Sequence, residues 1–303
     1  MQSFPGVWHL NPSTQRALSQ PPHQPYTIEL RFLILGTLPP PENRGFAARI
    51  QNQDDTEPIP ASHHHKISNN VIRWPRLTGM NLPQPLLNSD PARPRITVYD
   101  TQADTHLDFS AKLLENWTAK VANMLREELD LEAGDEICID LPLGWQPIMI
   151  ALGAVAAGVN VSFASQSDSA AALFCAPDTN VDQFAGDVVV VTNDAFGRGV
   201  EELGGSLPAG MIDFGPVVRM YGDQFHEVTP TFAELKGRSD YPLTDYPVGT
   251  RLLSTGWQDW PGFCAAVLSP LAVDGSAVIV SGCTSKDRLD HISAVEKATA
   301  LLV

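Results

Sequence analysis

The residues best placed to do chemistry are Ser281-Gly282-Cys283-Thr284-Ser285-Lys286. They follow an apolar run (Ser276 to Val280, SAVIV) and precede a helical pattern, the setting in which backbone amides and a lysine can cradle a phosphate. Close backbone approach to phosphate needs several glycines. This segment has only Gly282, so it reads as an ordinary strand-to-helix turn. His63-His64-His65 has metal-binding chemistry, but a structural site needs ligands converging from a fixed scaffold, so no metal is assigned there. His106, His226 and His291 stand far from one another and from other ligand types, as expected of surface or core-edge histidines rather than general bases. His226-Glu227, close behind Gly222-Asp223, could line a pocket, whereas Glu127-Glu128 and Glu201-Glu202 fit solvated faces. Neither a G-x-S-x-G elbow nor an H-E-x-x-H helix is present. Cys138, Cys175, Cys264 and Cys283 are widely spaced, three of them beside apolar residues, as expected of buried reduced thiols in a cytoplasmic protein. No catalytic residue and no metal ligand is therefore assigned, and the cofactor is left unknown.

A net charge of -15 disfavours nucleic acid and anionic membranes as partners, because both repel an acidic surface. No apolar run reaches membrane-spanning length; Leu30 to Leu38 is far too short, and no secretory leader is evident. The charge is unevenly divided. Residues 1–79 carry seven basic and five acidic residues, 11 of the 25 prolines and five of the eight histidines, with almost no hydrophobic periodicity. Such a stretch cannot bury enough apolar surface to offset its ordering entropy, so disorder is expected over 1–79. An extended gene start ahead of Met80 would also account for it. Beyond that point thirty acidic residues face thirteen basic ones, and one domain is expected over 80–303.

The elements that would position any site begin with a hairpin. Arg95 to Asp100 and Thr105 to Phe109 alternate as strands around the turn-prone Gln102-Ala103-Asp104. Ser110 suits an N-cap, and Leu113, Trp117, Val121, Met124, Leu125 and Leu129 then recur at helical spacing opposite Lys112, Glu115, Lys120 and Glu127. Glu136 to Leu141 predicts a strand, Trp145 to Ala157 a helix apolar nearly all round, and Gly158 its stop. Val159 to Ala164, Ala171 to Cys175, Asp187 to Val191 and Ser276 to Val280 read as interior strands. Phe263 to Leu268 and Asp287 to Ala300 read as helices. Continuous rather than alternating apolar runs imply a mostly parallel sheet with helices on both faces, an α/β fold.

Several of these pieces resemble the adenylate-forming superfamily of acyl-CoA synthetases, peptide-synthetase adenylation domains and luciferases. LDFSAKLLENW stands where that superfamily has L-T-Y-x-E-L. Gly134-Asp135 through Leu141-Pro142 is similar to G-D-x-V-x-x-x-L-P, and Ala156-Ala157-Gly158 to K-A-G. Arg251 to Ser254 and Leu268 to Val280 resemble its later R-x-L and P-L-x-x-G-x-x-V-V-x segments, and the closing EKATALLV resembles the approach to its active site. The chain also resembles a small uncharacterised actinobacterial family of shortened adenylating-enzyme relatives. There the shared pieces are D-L-P-x-x-W at Asp140 to Trp145, Ala195-Phe196-Gly197-Arg198, and V-R-x-x-G-D-Q-F at Val218 to Phe225.

The resemblance implies the first subdomain of an adenylate-forming large domain, and with it ATP or AMP as ligand. The Ser/Thr/Gly-rich loop ending in Lys that holds triphosphate is missing between DVVVV and Arg251, as are the Y-G-x-T-E motif and the domain with the catalytic Lys. Ser254-Thr255-Gly256 opens like that loop but runs into Trp257-Gln258-Asp259-Trp260, which reads as tryptophan packing. Tyr221-Gly222-Asp223 sits too early for Y-G-x-T-E, and Asp213-Phe214-Gly215 spells a kinase triplet without its companion motifs. The expected function is thus a non-catalytic derivative that binds a ligand or a protein partner. The alternatives are half of a split adenylating ligase completed by another chain, and a structural homo-oligomer.

Overall fold

A computed structural model describes residues 80–163, 167, 169–282 and 285–303. The expectations for 1–79, including His63 to His65, lie outside the described residues, as do Cys283 and Thr284. The chain opens with α1 (Gln84–Ser89), then the hairpin β1 (Pro94–Asp100) and β2 (Thr105–Ser110), antiparallel as predicted. Ser110 caps α2 (Ala111–Glu127), its hydroxyl accepting from the Leu113 amide. The buried face of α2 differs from expectation: Leu114 is fully buried and Leu113 only partly. α2 touches α3, α4 and the hairpin at once, so its covered face is wider than one stripe and includes Ala111, Thr118 and Ala122.

β3 (Glu136–Asp140) leads into α3 (Trp145–Ala157), in which all 13 residues are buried, as its almost wholly apolar sequence requires. Gly158 ends it at φ 68, a left-handed conformation that costs glycine nothing. Then come β4 (Asn160–Ser162), β5 (Ala172–Cys175), β6 (Asp187–Val190), β7 (Ile212–Asp213) and α4 (Phe214–Met220). β8 (Arg251–Ser254) precedes a continuous helical stretch: α5 (Trp260–Phe263), a π-helical segment Cys264–Leu268, and α6 (Ser269–Ala272). β9 (Ser276–Ser281), α7 (Lys286–Val295) and β10 (Ala300–Leu302) close the order. The last helix thus stops short of Ala300. Leu252 to Ser254 of β8 offers free ladder positions, and Ala300 to Leu302 pairs there instead of staying helical.

The strands form two sheets rather than one. One has the order β10-β8-β9-β1-β2, parallel except for β2; the other has the order β4-β3-β5-β6-β7, parallel throughout. A single large core holds α2, α3 and the π-helical stretch together with Ile96 and Ile279 of the first sheet and Ile137, Phe174 and Val189 of the second. α7 covers the far face of the first sheet through Ile292 over Leu253, Val278 and Val280. The far face of the second is covered by Val181, Phe184, Val200, Leu207 and Met211 from irregular segments.

Candidate functional site

In the all-parallel sheet the chain runs from β3 outward to β4 and then returns to β5 on the other side of β3. The strand order therefore reverses beside β3, and in open α/β sheets ligands sit outside the carboxyl ends of the strands at that point. Three adjoining cavities open there. One of about 240 Å³ is lined by Leu141 and Pro142 after β3, Gln146 and Pro147 of α3, Ala176 to Asp178 after β5, and Val191 to Asn193 after β6. A second, about 360 Å³, shares Leu141 and Pro147 and adds Asp140, Phe163 and Trp257. A third, about 160 Å³, holds Gly144, Trp145 and Asp194 between this sheet and the hairpin residues Val98 and Leu107.

The D-L-P-x-x-W residues form the common lip of these cavities. Gln146 fixes it to the loop after β6 by donating from Nε2 to the Thr192 and Asp194 carbonyls at 3.0 and 2.9 Å. Asp194 in turn accepts from the Phe196 and Arg198 amides and pairs with the Arg198 guanidinium at 2.7 Å, so its pKa is lowered although burial alone would raise it. Ala195 to Arg198 is therefore a turn held against the lip, and Gly197 packs on the Trp145 ring. V-R-x-x-G-D-Q-F is also structural. Arg219 donates to the Gly197 carbonyl and to Glu202, while Asn123 of α2 donates to the Gly222 and Gln224 carbonyls. Each of the three shared motifs thus builds or braces the crevice.

No Lys, Arg or His is among the residues lining the three cavities. Near the candidate phosphate turn, Lys286 is spent on Asp290 of its own helix at 2.6 Å, and Ser285 caps α7. The described residues there behave as a strand-to-helix turn. Ser254 and Gly256 bond to each other across a tight turn. Trp257 and Trp260 both pack on Phe263, at 5.0 and 5.5 Å between ring centres. Phe214 of the kinase-like triplet is buried against Phe174. His226 lines a separate cavity of about 290 Å³ with Lys112 and Asp223, but Glu227 pairs with Arg126 instead. His291 is exposed on α7. Cys138, Cys175 and Cys264 are buried and unbridged; burial pushes all three thiols up, Cys264 to about 12, so they are poor nucleophiles. Among the described residues no group of His, Cys, Asp and Glu could hold a metal, and no helix is long and apolar enough to cross a membrane.

Sequence spacing missed one polar cluster. His106 of β2 stacks on Tyr99 of β1 at 4.4 Å, with Asp108 and Glu296 each 3.7 Å from its Nε2. Arg251 of β8 pairs with Glu296 and donates to Thr97, which donates to Asp108 at 2.6 Å. Arg288, Asp100 and Asp104 line the small cavity beside it. Asp108 does most to raise the His106 pKa, against burial and Arg251, with Glu296 adding to it. A raised histidine stabilises the fold fully below its unfolded value of 6.5, and that contribution is lost as pH rises through the folded value. His106→Gln should therefore cost stability at about pH 5.5 and little at about pH 8.5, read as urea midpoints. A penalty that does not change with pH would show that stacking, not charge, is what His106 contributes.

The chain matches no family model. It is 32% identical over 240 residues, 72% of its length, to a TIGR03089 family protein of Mycobacterium tuberculosis, of which it covers 95%. Its fold is similar to that of a Brucella canis acyl-CoA synthetase, with a TM-score of 0.54, 16% identity and 69% of this chain covered. The chain spans 44% of that synthetase's length, and at this identity the likeness concerns the fold alone. The crevice thus sits on an α/β framework of the acyl-CoA synthetase kind, and the chain belongs to the TIGR03089 family.

Proposed function

We propose that this chain is a non-catalytic, ligand-binding derivative of the adenylate-forming large domain, and that its ligand occupies the crevice at the carboxyl ends of β3, β5 and β6. The observation that carries this reading is the convergence of three adjoining cavities on the point of strand reversal, with no cationic side chain lining any of them. A triphosphate needs cations and a run of free amides to offset its charge. Lys286, which follows the phosphate-like turn, already pairs with Asp290. The crevice instead offers apolar walls and a few polar groups, the usual make-up of a small organic-ligand site.

Calorimetric titration of the full chain with ATP and with AMP, in the presence of magnesium, is expected to give no saturable heat. Saturable binding of either, or ATP–pyrophosphate exchange by the purified chain, would overturn the non-catalytic reading. Exchange that appears only with a copurifying second chain bearing a catalytic-lysine domain would favour the split ligase.

A further inference from the structure

The space beside Gly144 is walled by oxygen. A Cβ built on this buried glycine would have as its nearest neighbours, beyond the adjacent residues, Gln146 Oε1 at 3.2 Å, Asn193 Oδ1 at 3.5 Å and the Pro142 carbonyl oxygen at 3.9 Å. None of the three accepts a hydrogen bond from the described residues. Gln146 is only 3% exposed, and its neighbours fix which way its amide points. Nε2 gives both of its hydrogens to the Thr192 and Asp194 carbonyls, which can only accept, so the oxygen has to be the end turned toward Gly144. That oxygen is not sealed from solvent. Gly144 lines the cavity of about 160 Å³ and Gln146 the one of about 240 Å³; Asn193 lines both, so the oxygens stand where the two adjoin.

Three uncommitted acceptors require a donor, and the surroundings decide its charge. A carboxylate has no hydrogen to give and would set its own charge against these oxygens. A cation would sit at the amino end of α3, where the helix dipole is positive and the Gly144, Trp145 and Gln146 amides have no acceptor among the described residues. A neutral group that both donates and accepts satisfies the two demands together. We propose that the crevice binds a primary carboxamide, whose N–H groups reach Gln146 Oε1 and Asn193 Oδ1 and whose carbonyl faces the free amides of α3. Its hydrocarbon part then runs along Leu141, Pro147 and Val191. The inference rests on the reading of the crevice as a ligand site and names its ligand class.

Hexanamide, hexanoate and 2-heptanone have nearly one shape and differ in whether an amino group, a charged oxygen or a methyl is offered to these acceptors. Titrated calorimetrically into the full chain at about pH 7, hexanamide should bind about tenfold tighter than either of the others, because they leave a buried acceptor without its donor. Gly144→Ala places a methyl in the space the amide nitrogen would fill, and φ −174 is extended backbone that any residue adopts. That variant should weaken hexanamide about tenfold or more, with a melting curve confirming that it is folded. Asn193→Ala removes an exposed side chain that makes no hydrogen bond among the described residues, so the fold does not depend on it, and should weaken hexanamide severalfold. Equal affinity for the three compounds, a preference for hexanoate, or unchanged hexanamide binding in Gly144→Ala would overturn the carboxamide inference while the crevice reading stands. No heat from any of the three would overturn both.

Discussion

Asp274→Asn should destabilise the chain by about 2–3 kcal/mol, read as a fall in the urea midpoint with an unchanged slope. Arg95 on β1 is fully buried and ion-paired to Asp274 at 2.9 Å. Its Nη1 donates to the carbonyls of Asp274 and Gly275 at 2.7 and 3.1 Å, and Nη2 reaches the Leu86 carbonyl at 3.4 Å. Burial lowers the Arg95 pKa and Asp274 works against it, so the carboxylate offsets part of the cost of burying the guanidinium. Taking away one partner of a buried pair costs about 3–5 kcal/mol. The carboxylate is 40% exposed and the carbonyls remain, which places the loss below that range. Asparagine is the right replacement because residue 274 has φ 56, which asparagine tolerates. Arg95→Met in the Asn background should recover part of the loss, since no cation is then left to desolvate. A single-variant loss below about 0.5 kcal/mol would show that the carbonyls alone suffice.

Gly153→Ala should lower stability by about 1–2 kcal/mol, against the gain of about 1 kcal/mol that helix propensity alone would give. A Cβ on Gly153 would lie 2.3 Å from Val121 Cγ1, 2.4 Å from its Cβ and 3.2 Å from the Ala122 amide nitrogen. α2 and α3 therefore meet at a distance that only glycine permits. Val121→Ala in the same chain should not reverse the loss, because its Cβ still lies 2.4 Å from where the new methyl would stand, and the two effects, sharing one contact, should not simply add. If Gly153→Ala stabilises instead, the two helices separate more readily than their packing implies.

Local patterns made much of this architecture legible. The Ser110 cap, the hairpin, the α3 run from Trp145 to Ala157 and the stop at Gly158 each depend on neighbours in sequence, and each stands where spacing placed it. The division into two sheets could not be read that way. SAVIV looks like any interior strand, and only its partners, β1 and β8, assign it to a different sheet from DVVV. β7 has two residues and β10 three, too short for any periodicity. The crevice was hidden for the same reason. Its lip is visible as D-L-P-x-x-W, but its walls come from Phe163, Asn193 and Trp257, which only the strand order brings together. Trp257 and Trp260 pack, as their spacing suggests, through the intervening Phe263; what spacing does not reveal is that Trp257 also lines a cavity.

The two sheets will not be completed in the same order in which their first strands leave the ribosome. The β4-β3-β5-β6-β7 sheet draws on one unbroken stretch, Glu136 to Asp213, and can form as soon as that stretch is synthesised. The other sheet begins earlier, at Pro94, but β1 waits for Ala277 to Ser281 before its second edge is paired. For that interval the nascent chain carries a hairpin with Ile96 and Val98 and an unpaired edge, the kind of surface that recruits other strands. Closing so long a loop is also slow, so the sheet that contains β1 and β9 should be the later of the two to form.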